Sequence, residues 1–210
     1  DGVDDLIIGA HSADACGTNS GASYVVLGAA SGFAATLNLS GLDGTNGFQV
    51  SGEAVADYSG VSVSQAGDVN GDGFDDLIIG AYSAHPNGNV SGTSYVMFGA
   101  ASGFAANLNL SALDGTNGFQ LNGELAGDRS GRSVSQAGDV NGDGFADLLI
   151  GARFANPNGS ASGASYVVFG GDFRGEVDFL GGSGDDSFTG GSGADIIVGD
   201  FNDRTITYKD

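Results

Sequence analysis

The segment Asp68-Val-Asn-Gly-Asp-Gly-Phe-Asp-Asp sets an oxygen-bearing side chain at alternate positions: Asp68, Asn70, Asp72 and Asp76. The carbonyl of Phe74 can fill the remaining odd place, while Gly71 and Gly73 let the backbone curl so that alternate residues aim at one centre. Five hard oxygens with no Cys or His, and a net charge of about −3, select a hard cation. A flexible oxygen set suits Ca2+ better than Mg2+, which demands a small octahedron and keeps its waters. The spacing returns at Asp139, Asn141, Asp143, the Phe145 carbonyl and Asp147. Ala146 stands there in the place of Asp75, so Asp75 is not expected to be a ligand. Asp1, the Val3 carbonyl and Asp5 have the spacing of the tail of a third such loop, so the chain reads as a fragment beginning in mid-motif. The alternative is a solvated Asx-rich turn, because Asn-Gly and Asp-Gly make turns unaided. An EF-hand is a poor match: it needs flanking helices and a Glu at the twelfth place, where this chain has Ile79 and Ile150.

A second, shorter motif lies near the C-terminus. Gly181-Gly-Ser-Gly-Asp-Asp-Ser-Phe-Thr runs directly into Gly190-Gly-Ser-Gly-Ala-Asp-Ile-Ile-Val. An apolar comb continues the spacing through Phe179, Phe188, Ile197 and Ile206. The pair resembles the RTX nonapeptide, in which stacked turns form a calcium-binding parallel β-roll. That resemblance implies Asp186 and Asp195 as side-chain ligands. Two good repeats make only about one turn of a roll, so a glycine-rich linker remains the alternative.

The elements that must hold these loops come from a longer repeat. Asp72 and Asp143 match at an offset of 143 − 72 = 71, which also relates Ser23, Ser94 and Ser165, each opening Ser-Tyr-Val-x-x-Gly. The run from Ser62 to Phe74 recurs unchanged from Ser133 to Phe145. Within one copy Val61–Ala66 alternates like a half-buried strand, and Asp76–Ala81 is a short apolar run suited to burial on both faces. Ser94–Gly99 reads as a third strand and Phe119–Gly123 as a fourth, outer one. Asn107–Leu110 reads either as a short edge strand or as loop. No segment carries a helical period. Four strands per repeated unit is the pattern of a propeller blade. Copy three lacks the segment that supplies the outer strand, for which Glu176–Leu180 is a candidate substitute.

Composition bounds the function. Lys and Arg total 6 against 26 Asp and Glu, a net charge of −20. That balance argues against nucleic acid and against anionic lipid surfaces. The 40 glycines lack the collagen period and mark turns and close approaches, and 40% hydrophobic content is enough to fold. A lone Cys16 excludes an internal disulfide framework. No apolar run reaches membrane-span length. His11, His85 and Cys16 fall in the loops after the second strand of each copy and form no acid–base or nucleophilic set.

The long repeat resembles the FG-GAP repeat of integrin-α-type β-propellers, on Ser130-Gly-Arg-Ser-Val-Ser-Gln-Ala-Gly-Asp-Val-Asn-Gly-Asp-Gly, Asp147-Leu-Leu-Ile-Gly-Ala and Ser165-Tyr-Val-Val-Phe-Gly. Together with the nonapeptide resemblance it implies an all-β fold: partial, four-stranded propeller blades over 1–171, then a short parallel β-roll over 172–207, with a tail at 208–210. It further implies Ca2+ in the loop between a blade's first two strands, and the remainder of the same propeller as a partner. The combination is similar to large bacterial RTX exoproteins, which are secreted and fold on meeting extracellular calcium. The expected function is a non-catalytic, calcium-binding structural or adhesive module. Two alternatives stay open: a propeller accompanying an extracellular lyase or hydrolase domain upstream, and direct recognition of an extracellular glycan or protein. For the last, the loops His11–Ala22, Tyr82–Thr93 and Arg153–Ala164 differ most between copies.

Overall fold

A computed structural model describes residues 3–172 and, as paired backbone, Phe179–Leu180 and Ile197–Val198. Among the described residues the chain is all-β apart from single 3-10 turns at Leu39–Gly41 and Leu110–Ala112. Three sheets follow one another at the repeat spacing. The first holds β1 (Leu6–Ala10), β2 (Ala22–Val26) and β3 (Gly47–Ser51). The second holds β4 (Ser62–Gly67), β5 (Asp76–Ala81), β6 (Thr93–Met97) and, beyond an excursion through β7 (Asn107–Asn109), β8 (Gly118–Asn122). The third holds β9 (Ser133–Gly138), β10 (Asp147–Ala152) and β11 (Ala164–Val168).

Within each repeat successive strands pair antiparallel, with order β4-β5-β6-β8 in the second sheet; the first has order β1-β2-β3-β7, its last pair parallel. The four strands of the sequence reading are therefore present in the second sheet, shifted by up to two residues at their ends. Asn107–Asn109 resolves as an edge strand: it pairs in parallel with Gln49–Ser51 of the preceding sheet. The equivalent residues 36–38 form no strand, and among the described residues no preceding sheet edge lies beside them. The third sheet has no outer strand among the described residues. Of its candidate substitute, Phe179–Leu180 pairs in parallel with Ile197–Val198 (β12 and β13) rather than with β11, and 176–178 lie outside the described residues.

Two apolar seams join the sheets. Val25, Phe48 and Val50 of the first sheet pack on Ile79, Ala81, Tyr95 and Met97 of the second. The other face of the second sheet, through Ala66, Ile78 and Val96, packs on Val134, Leu148 and Ile150 of the third. Successive strand residues point to opposite faces, so Ile78 and Ile79 serve different seams. This explains why Asp76–Ala81 lacks polar alternation, as a strand buried on both faces should.

The two outward faces of the stack are built like the seams but uncovered. Val69 is 0% exposed, while its equivalent Val140 is 57% exposed; Val96 is 0% and Val167 47%. At the other end Leu6 and Ile8 are exposed where Ile79, the equivalent of Ile8, is buried. The same side chain is covered or bare according to whether a neighbouring blade is present.

Candidate metal centre

A bulge shapes the entrance to each acidic loop. The pairing of β4 with β5 slips between Gln65 and Gly67, and that of β9 with β10 slips beside Asp147. A bulge adds twist and re-aims the chain next to a functional loop. Within the loop the side chains at its first, third and fifth places fold back on its own amides. The Asp72 amide donates to Asp68 Oδ1 and to Asn70 Oδ1, both at 3.0 Å. The Gly73 amide donates to Asp68 Oδ2 at 3.0 Å, and the Phe74 amide to Asp72 Oδ1 at 2.8 Å. Asn70 Nδ2 donates to Asp72 Oδ2 at 2.9 Å. The second loop repeats the set with Asp139, Asn141 and Asp143 at 2.6–3.1 Å. Such Asx turns hold the oxygens on the inside of the curl. Each carboxylate oxygen has two lone pairs, so one amide bond leaves capacity for a cation.

Asp76 has a second role that its place in the motif does not reveal. It is fully buried, with Oδ2 accepting from the Val69 amide at 2.9 Å and Oδ1 from the Gly99 amide at 2.8 Å. Asp147 repeats this with Val140 at 2.7 Å and Gly170 at 2.9 Å, and Asp5 accepts from Gly28 at 2.7 Å. The carboxylate thus latches the acidic loop to the end of the blade's third strand. The Asp76 carboxyl is pushed up to about 6, by burial first and to a lesser extent by the nearby Asp72 and Asp68 charges, against the two amides that pull it down. A buried carboxylate facing two others is a group that a divalent cation would stabilise in its charged form.

The following blade closes over the loop. The Ala146 amide donates to the Asp68 carbonyl at 3.0 Å and the Gly171 amide to the Val69 carbonyl at 2.9 Å. The Phe145 ring sits against Gly71, where a Cβ would lie 2.4 Å from it and where φ is +71°. Asn70 is consequently buried, while Asn141, with no blade beyond it among the described residues, is exposed.

Asp68, Asn70, Asp72, Phe74 and Asp76 are thus gathered in one loop, and Asp139, Asn141, Asp143, Phe145 and Asp147 in its copy. Among the described residues no three His, Cys, Asp or Glu side chains converge closely enough to hold a metal ion by themselves. The donor set fits a hard cation in chemistry and charge, with Asn and carbonyl oxygens making up the number. Val3 is exposed and Asp5 serves the latch; Asp1, Asp186 and Asp195 lie outside the described residues. Asp75 is exposed.

Sequence reasoning also missed a clamp between blades. Tyr95 Oη donates to Glu53 Oε2 at 2.7 Å, and Tyr166 Oη to Glu124 Oε2 at 3.0 Å, each joining a third strand to the end of the preceding blade. Burial, then the Glu53 bond, drives the Tyr95 hydroxyl well above its ordinary range; Tyr166 is pushed up to about 12 for the same reasons. Both tyrosines therefore remain donors at any physiological pH. The chain has three Glu, and two of them stand 71 apart, which was the available signal. Tyr95→Phe is expected to cost about 1 kcal/mol in urea-melt stability, and Tyr166→Phe less, because its blade is uncovered on one side.

Comparison with known proteins agrees with this architecture. Residues 59–97 and 130–168 match the FG-GAP repeat, covering β4–β6 and β9–β11 with their acidic loops. The chain is similar to integrin alpha-PS2 of Drosophila melanogaster, at 32% identity over 128 residues, which is 60% of this chain and 9% of that protein. Integrin alpha-5 of Xenopus laevis is 36% identical over 138 residues, 63% of this chain and 12% of its own length. Integrin alpha-4 of Xenopus laevis is 32% identical over 124 residues, 59% and 11% respectively. The chain therefore spans no more than 12% of these relatives, within the part of this sequence that carries the blades.

Proposed function

We propose that this chain is a calcium-binding structural and adhesive module of a secreted protein, non-catalytic in itself, with Ca2+ stapling each blade to the next. The observation that carries this is the position of the acidic loop at a blade junction. Asp68 offers its side chain to the loop and its carbonyl to the Ala146 amide of the next blade. A cation drawing Asp68, Asn70, Asp72, the Phe74 carbonyl and Asp76 together would fix the surface on which the next blade rests. Without it the loop's carboxylates repel, so binding is coupled to folding. Extracellular modules bind Ca2+ in roughly the 10⁻⁴–10⁻³ M range, which favours folding after export. Phe179–Leu180 pairing with Ile197–Val198 at 197 − 179 = 18 residues, two nonapeptides, supports a calcium-binding roll over 172–207.

The bare apolar faces at either end of the stack support further blades as the chain's immediate partners, because each repeats a face that is buried at an internal seam. Thermal melting with and without chelator tests the staple. Calcium is expected to raise the melting temperature by several degrees, as ligand binding to the folded state alone must. An unchanged melt would leave the loops as Asx turns and nothing more.

A further inference from the structure

The end of the blades opposite the acidic loops carries a row of rings and guanidinium groups that the staple does not use. Each acidic loop joins a blade's first strand to its second, so residues just before the first strand and just after the second lie at the other end. There His11 meets Tyr58 with ring centroids 6.2 Å apart, and Tyr58 stacks on Tyr82 at 5.7 Å and 24°. Arg129 and Arg132 lie over Tyr82 at 5.8 and 5.3 Å. Arg129 and Arg153 lie over Phe154 at 4.9 and 4.4 Å. The row crosses all three blades.

Three observations distinguish it from ordinary blade packing. First, these are the only three Lys or Arg within residues 3–172 of a chain carrying −20, and all three are in one place. Among the described residues their contacts are with rings and not with carboxylates. Second, Tyr58 and Arg129 occupy the same place in successive repeats and both sit in the left-handed region, at φ +54° and +55°. A bulky side chain is costly there, so the main chain of the repeat presents two different side chains from one fixed place, as it does Asn19, Val90 and Ala161 at φ +53°, +55° and +51°. Backbone bonds hold them: the Tyr58 amide donates to the Asn19 carbonyl and the Arg129 amide to that of Val90, both at 3.1 Å. Third, the repeats agree residue for residue from Ser62 to Phe74, yet here Tyr58 becomes Arg129, and His11 becomes Tyr82 and then Arg153. Blade packing does not dictate these side chains.

We propose that this row binds an anionic polysaccharide. Its carboxylate or sulfate groups would pair with the forked donors of Arg129, Arg132 and Arg153, whose planar geometry matches such oxyanions. The apolar faces of its sugar rings would stack on Tyr58 and Tyr82. His11 and Arg153 are exposed and the other members half-buried, so the row is reachable from solvent. An acidic peptide would satisfy the arginines but would leave the flat rings without a matching flat partner. The proposal rests on the reading of the chain as an adhesive module, and not on its calcium.

Calorimetry on the intact chain at fixed calcium tests it with four probes: polygalacturonate for the carboxylate source, dextran sulfate for the sulfate source, neutral dextran, and poly-glutamate. One of the two anionic polysaccharides is expected to bind at least tenfold more tightly than poly-glutamate, with no binding to dextran. Arg129→Gln combined with Arg153→Gln should lower that affinity at least tenfold and leave the melting temperature unchanged. Tyr82→Ala should lower it too, and more than it lowers any residual poly-glutamate binding. Equal affinity for poly-glutamate, binding to neither polysaccharide, or affinity untouched by a folded arginine variant would each overturn the proposal. Polysaccharide binding that survives in a protein indifferent to chelator would overturn the staple alone.

Discussion

Gly80→Ala is expected to destabilise the chain by about 3 kcal/mol, the upper part of the range for overpacking a closed interior. A Cβ at Gly80 would stand 2.0 Å from the Gly131 carbonyl oxygen and 3.0 Å from its carbon. Both are backbone, so no side chain can rotate away; the two blades must part. The Gly60 amide also donates to the Gly80 carbonyl at 3.0 Å, so parting them strains the preceding seam as well. Gly9 makes the same approach to Gly60, at 2.1 Å. Gly151 is the internal control. No blade follows it among the described residues, and a Cβ there would stand 2.4 Å from the Ser133 hydroxyl, which can rotate away, and no nearer than 3.6 Å to any backbone atom. Gly151→Ala should therefore fall within about 0.5 kcal/mol of the parent protein. Paired urea melts decide the matter: equal losses at Gly80 and Gly151 would mean that the blades do not meet backbone to backbone.

Asp76→Ala carries the second large effect. Removing the carboxylate strands the buried Val69 amide, and an unsatisfied buried donor costs about 1–3 kcal/mol, while the half-buried Gly99 amide adds a smaller loss. This loss is present even in chelator, because the latch needs no cation. Asp68→Ala should behave differently. Asp68 lies nearer solvent, which can take over its amide partners, so its loss should be small in chelator and large in calcium. Asp75→Ala, at an exposed place filled by alanine in the second copy, should change neither. Melts of the three variants with and without calcium separate latch from ligand.

Much of this architecture could be read from the chain because it is repeated. The 71-residue offset aligned the strands, the acidic loops and the closing Ser-Tyr-Val-x-x-Gly segments. Period and composition then assigned strands to Val61–Ala66, found at Ser62–Gly67, and to Asp76–Ala81. What escaped were bonds between different parts of the repeat. Asp76 reaches Gly99 across 23 residues and Tyr95 reaches Glu53 across 42, and comparing copies position by position reveals neither pairing. Each member recurs, but recurrence does not say what it touches. Asn107–Asn109 was ambiguous for another reason: its strand exists only because β3 of the preceding blade presents an edge to it. The ring and arginine row was visible only as loops that vary, since residues assembled from three different copies share no motif.

The staple itself is tested most directly by titrating calcium calorimetrically into metal-free protein and into a variant carrying Asp68→Ala and Asp139→Ala. Saturable binding in the sub-millimolar to millimolar range is expected for the parent, with the sites of both acidic loops lost from the variant and the parent's gain in melting temperature lost with them. Binding of the same stoichiometry in the variant, or a parent that takes up no calcium at all, would contradict a cation held in these loops.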